Sequence, residues 1–143
     1  DAGNLHAYCR GLGVEVMANS DNVLRGGLTA KHVDVPELAR VLRFTSLANP
    51  RTSSDAGWFE VPVEEFDIRM IEATGESPWS AQIPGPRVVL CTAGQVTVTV
   101  GPATQVLRPT EAVWISAAEE PMVQVTGAGQ AFVVGVGASL STP

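Results

Sequence analysis

The chain has 143 residues, 45% of them hydrophobic and 17% charged. That is the balance of a globular domain with a real core, and it excludes a disordered chain. A formal net charge of −6 leaves no basic surplus for tracking a nucleic acid, and no run of about 18 apolar residues offers a membrane span.

Asp1 has no Met before it and no signal-like segment follows; Cys9 and Cys91 lie far apart without a CxxC pair. The expectation is a cytoplasmic chain with free thiols, although a single disulfide stays open. The stretch Asp1–Lys31 starts abruptly, as a piece cut within an element would. It sets His6, Glu15, Arg25 and Lys31 in a Gly- and Asn-rich frame, the composition of a site rather than a core. Within it, Gly13–Met17 (GVEVM) alternates and predicts a strand, with Val14 and Val16 on one face and Glu15 on the other. Residues 18–33 predict a long ordered loop, with or without a short helical turn.

Asp34–Arg43 (DVPELARVLR) predicts a helix. Asp34 with Glu37 three residues on resembles a capping box, Pro36 suits a first turn, and Leu38, Val41 and Leu42 fall on one face. Residues 45–57 form a polar linker without periodicity, the best internal boundary. From Trp58 onward the pattern is β. Phe66, Ile68 and Met70 alternate with Asp67 and Arg69, and Val88–Cys91 is a short apolar run. Val96, Val98 and Val100 alternate with Thr97 and Thr99. Residues 104–107, 112–116, 122–125 and 131–136 are further strand candidates. Turn signals at Gly75, Pro84-Gly85-Pro86, Gly94, Gly101-Pro102, Pro109 and Gly127–Gly129 separate them by about 8–12 residues, the spacing of a sandwich or barrel. Trp114, between Val113 and Ile115, is expected to be packed; Trp58 and Trp79 lie beside loops.

Four residues of the first quarter are candidates for chemistry. Neutral imidazole is the commonest metal ligand, so His6 is a candidate, against the commoner structural histidine. His32 is the only other His. With no HxH or HExxH word, nothing here completes the three or four protein ligands that zinc needs. Glu15 is either a solvated outer-face residue or a carboxylate entering a pocket on the face of His6. Arg25, followed by two glycines, suits a phosphate or a developing oxyanion; alternatively it pins the loop through carbonyls and Asp21. Lys31 alone is a surface lysine.

These words in order change the weighting. Gly3–Val35, with HAY and GVEVMANSDNVLRGGLTAKHVDV, closely resembles the C-terminal half of the type I mannose-6-phosphate isomerases (phosphomannose isomerases) over 33 consecutive residues. The resemblance implies a mainly β, cupin-like jelly-roll fold with one short helix, the C-terminal part of a bicupin enzyme. Residues 1–33 would end the catalytic cupin domain, 34–57 would be helix and linker, and 58–143 a C-terminal cupin-like β domain without a metal site. The activity implied is a zinc-dependent exchange of mannose 6-phosphate and fructose 6-phosphate through an enediol. By the match, His6 resembles the zinc-ligand His, Glu15 the active-site acid, Arg25 the catalytic arginine and Lys31 the substrate-binding lysine. Ala30 stands where the family word LTPK has Pro. The family's other three zinc ligands, a Gln, a His and a Glu, belong to an N-terminal portion with no counterpart here. The resemblance therefore implies a chain that is inactive and without bound zinc when alone, partnered by that N-terminal portion and a phosphorylated hexose. The alternative is a non-catalytic β-module that binds a sugar or a protein partner through Trp58, Trp79 or Trp114.

Overall fold

A computed structural model describes residues 3–17, 19, 23–27, 29–46, 51–61, 63–75 and 77–137. The chain divides into two compact units, Asp1–Pro50 and Arg51–Pro143.

In the first unit the helix forms as α1, Val35–Val41. Asp34 caps it, its Oδ1 accepting from the Glu37 backbone N–H at 3.0 Å. Glu37 does not complete a capping box. Its carboxylate takes the Arg40 guanidinium instead, Nε–Oε2 2.7 Å, which holds the Glu37 carboxyl below its ordinary range. The helix stops short of Arg43 because Leu42 turns extended, with φ −64° and ψ 137°. Arg43 then donates its backbone N–H to the Gly3 carbonyl at 2.8 Å, which ties the start of the unit to the helix end.

The strand expected at Gly13–Met17 does not form. Burial still alternates there: Val14 and Val16 are half-buried, and Gly13, Glu15 and Met17 exposed. A strand needs a hydrogen-bonded neighbour, and no described segment of this unit is one. Residues 18, 20–22 and 28 of the expected loop, Asp21 included, lie outside the described residues, as do 47–50 of the linker.

The second unit is β throughout. Strands β1 (Ser54–Asp55), β2 (Trp58–Phe59), β3 (Asp67–Thr74), β4 (Trp79–Gln82), β5 (Arg87–Val100), β6 (Ala103–Leu107), β7 (Ala112–Ile115) and β8 (Met122–Gly135) form one antiparallel sheet. Its order is β1-β2-β3-β8-β5-β6, with β4 also on β8 and β7 also on β5. The first hairpin falls in the segment read as linker, where Ala56 (φ +46°) and Gly57 (φ +84°) supply the two left-handed residues of a tight turn.

Gly94 and Gly127–Gly129 are not turns between short strands. They are bends inside two 14-residue strands, β5 and β8, which pair along almost their whole length. Register shifts between Cys91 and Ala93, and Gly94 then lies opposite Gly129. A Cβ on Gly94 (φ +68°) would strike the Ala128 carbonyl, so only glycine lets the strands cross this closely.

On β8, β3 covers residues 128–135 and β4 covers 122–125; on β5, β7 covers 87–90 and β6 covers 96–100. Four long bent tracks thus fold over one another. Inward residues of the two halves, among them Ile71, Val89, Val133 and Ile115 with Val96, Val98, Val123 and Val125, meet in one buried cluster. This is a cupin-like jelly-roll sandwich. Arg87, 1% exposed, clamps one end: Nη1 donates to the Gly85 carbonyl at 2.8 Å and the Ser116 carbonyl at 3.2 Å, and Nη2 to the Glu120 carbonyl. Burial lowers its pKa, and the charge of Glu119 opposes that.

The tryptophans reverse their expected order. Trp114 is 65% exposed. Trp58 and Trp79 are half-buried; Trp79 packs on the core with the Arg69 guanidinium 5.6 Å above its ring centre. Both thiols are free, Cys9 exposed and Cys91 buried. Among the described residues no helix is long and apolar enough to cross a membrane.

Candidate functional site

All four candidates belong to the first unit. His6 is exposed, with Nδ1 3.2 Å from the Asn4 carbonyl, a contact that suits the Nδ1–H tautomer and leaves Nε2 for a ligand. The ring of Tyr8 meets the His6 ring edge-on, with centroids 6.4 Å apart at 77°. Tyr8 also reaches Glu15. The carboxylate's charge and its hydrogen bond raise the phenol's pKa above the ordinary value. Tyr8 and Glu15 line one hollow of about 420 Å³, with Arg10 and the turn Gly11–Val14 between them. The 13–17 segment thus presents Glu15 to Tyr8 with no sheet among the described residues to hold it.

Arg25 is half-buried and engaged. Its neighbour Gly26 is wedged between the segment of His6 and the helix: a Cβ there would sit 3.3 Å from Leu5 Cδ1 and 3.7 Å from Leu38 Cδ2. The small residue lets the arginine loop approach the segment of His6 closely. Lys31 is exposed, and its backbone N–H donates to Thr29 Oγ1 at 3.1 Å.

The side chain that sequence reasoning passed over is Tyr8, which bridges His6 and Glu15. The available signal was its place in the HAY word as the only tyrosine of the chain. Among the described residues no group of three or more His, Cys, Asp or Glu side chains converges, and one imidazole does not make a zinc site.

No protein-family model matches the chain. Curated relatives do. The mannose-6-phosphate isomerase of Escherichia coli K12 is 35% identical over 131 residues, covering 87% of this chain and 33% of the relative. That of Salmonella typhimurium is 36% identical over 135 residues, covering 87% and 33%. A probable mannose-6-phosphate isomerase of Caenorhabditis elegans is 34% identical over 139 residues, covering 89% and 33%. Among solved structures, the Salmonella typhimurium enzyme bound to fructose 6-phosphate and zinc superposes with a TM-score of 0.69 at 29% identity, covering 85% of this chain and 32% of that one. The chain spans about a third of the length of the relatives it matches.

Proposed function

Since this chain belongs, as a partial C-terminal region, to the mannose-6-phosphate isomerase family, we propose that it supplies one wall of an active site interconverting mannose 6-phosphate and fructose 6-phosphate. The observation that carries this reading is the sequence match to the curated isomerases along 87% of the chain. Isomerisation moves a proton between adjacent carbons and passes through an enediolate. Glu15 is the candidate for moving that proton, and Tyr8 holds its carboxylate. Arg25 supplies fixed positive charge where the enediolate forms. Lys31 offers a cation to the sugar phosphate.

His6 is the metal ligand that the resemblance implies for this wall. The zinc implied by the resemblance would take its remaining ligands from the portion of the relatives that this chain does not match. The chain alone is then inactive, and its partner is that portion.

A chimera tests this reading. The matching third of the Escherichia coli isomerase is replaced by this chain, and turnover of mannose 6-phosphate is assayed beside the chain alone. Turnover is expected in the chimera only. Arg25→Ala is expected to lower its kcat by about a hundredfold or more. A chimera that folds and stays silent, or an Arg25→Ala form as active as its parent, counts against the roles. Turnover by the isolated chain overturns its inactivity.

A further inference from the structure

The second unit carries a hollow that the isomerase reading does not use. About 440 Å³ in volume, it opens where β6 and β7 run along β5, and Trp114, Thr104, Gln105, Ser116 and Glu119 line it over a floor of β5 valines. The volume falls in the range of small-molecule pockets, about 300–1,000 Å³. None of His6, Glu15, Arg25 and Lys31 borders it.

Three features make this a built site rather than a dent. Trp114 is 65% exposed beside it, an aromatic face held by four cross-strand pairings of β7. The polar wall is braced: Arg87 binds the Ser116 and Glu120 carbonyls, the Glu119 N–H donates to the Ser116 carbonyl at 3.1 Å, and the Ala118 N–H to Ser116 Oγ at 3.2 Å. The donor set is mixed, with one amide, two hydroxyls and one carboxylate around the indole.

That combination fits one chemistry well. The C–H face of a pyranose ring covers an indole, while its hydroxyls need both donors and acceptors at the rim. Glu119 is the only ionisable residue among the described lining residues, so a phosphorylated sugar meets a like charge. We propose that the hollow between β6 and β7 binds an uncharged pyranose, stacked on Trp114 and hydrogen-bonded by Glu119 and Gln105. This site is formed by residues of the second unit and does not rest on that reading.

The test is a titration of the ¹⁵N-labelled chain with D-mannose, D-glucose and D-galactose, each followed at the Trp114 indole N–H. Mannose 6-phosphate and choline are run alongside. At least one neutral hexose is expected to shift the indole resonance saturably, with mannose 6-phosphate weaker than mannose. Trp114→Ala is expected to abolish binding, and Glu119→Gln to weaken it about tenfold. Both positions are exposed, and an unchanged amide spectrum checks that each variant folds. No shift with any of the three hexoses overturns the proposal. So does a shift with choline alone, which makes the site a cation cage, or a shift with protein concentration alone, which makes the face a contact between copies.

Discussion

Tyr8 is the only tyrosine of the chain, so its ionisation can be followed by phenolate absorbance without interference. Two forces from Glu15 act on it, repulsion of the phenolate by the carboxylate and a hydrogen bond that the neutral phenol donates. Both favour the protonated ring, so the titration midpoint should lie above the ordinary value near 10. Glu15→Gln removes the charge and should bring the midpoint back down; an unchanged midpoint would separate the two side chains. The same contact shows what was legible at this scale. The words around His6, Glu15, Arg25 and Lys31 can be read in order along the sequence. That Tyr8 is what joins His6 to Glu15 cannot, because their meeting depends on how the Gly11–Gly13 turn folds the chain back. Trp114 makes the converse point. Its place between Val113 and Ile115 fits a buried alternation, yet the phase of alternation does not say which face of an edge strand is covered.

At the scale of elements, β3 shows the same ambiguity more fully. Its apolar residues Ile68 and Met70 pair with Val134 and Phe132 and are half-buried, while Asp67 and Ile71 are buried on the opposite face. The continuous apolar runs in the first half of β5 and the second half of β8 are coherent with this. There both faces of the sheet are apolar, whereas Thr97 and Thr99 mark a polar outer face in the other half. The sequence therefore showed strand positions well and strand lengths poorly. A glycine that bends a strand and one that ends it look alike until the partner chain is known. The Gly94 bend can be tested. Alanine there must adopt φ near +68° with its Cβ against the Ala128 carbonyl. Gly94→Ala is expected to cost roughly 2 kcal/mol or more, read as a lower urea midpoint with an unchanged slope. A midpoint within error of the parent would mean that β5 and β8 can separate at the bend without loss.

At the scale of the molecule, burial is unevenly shared. Every buried residue among those described lies between Asp67 and Gly135, and none lies in the first unit. There Leu5, Tyr8, Leu12, Met17 and Phe44 are each more than two-thirds exposed. Ordering a residue costs about 1–2 kcal/mol of backbone entropy, which buried apolar surface must offset. The second unit has such a cluster; the first has one seven-residue helix, a cap and a few backbone bonds. Hydrogen exchange should therefore separate the two. Amides at the centres of β5 and β8 are expected to exchange only through global unfolding. Those of described residues 3–46 should exchange through local opening, at least about a thousandfold faster. In that unit the amides of α1 and of its C-cap Leu42, which is bonded to the Leu38 carbonyl, should be slower than those outside the helix. Comparable protection in both units would show that the first draws stability from contacts its burial does not reveal. In the chimera with the Escherichia coli isomerase, slowing confined to residues 3–46 would show that the candidate wall gains its order from the rest of the enzyme. That would give the inactivity proposed for the chain alone a thermodynamic cause beside the zinc ligands proposed to come from the other portion.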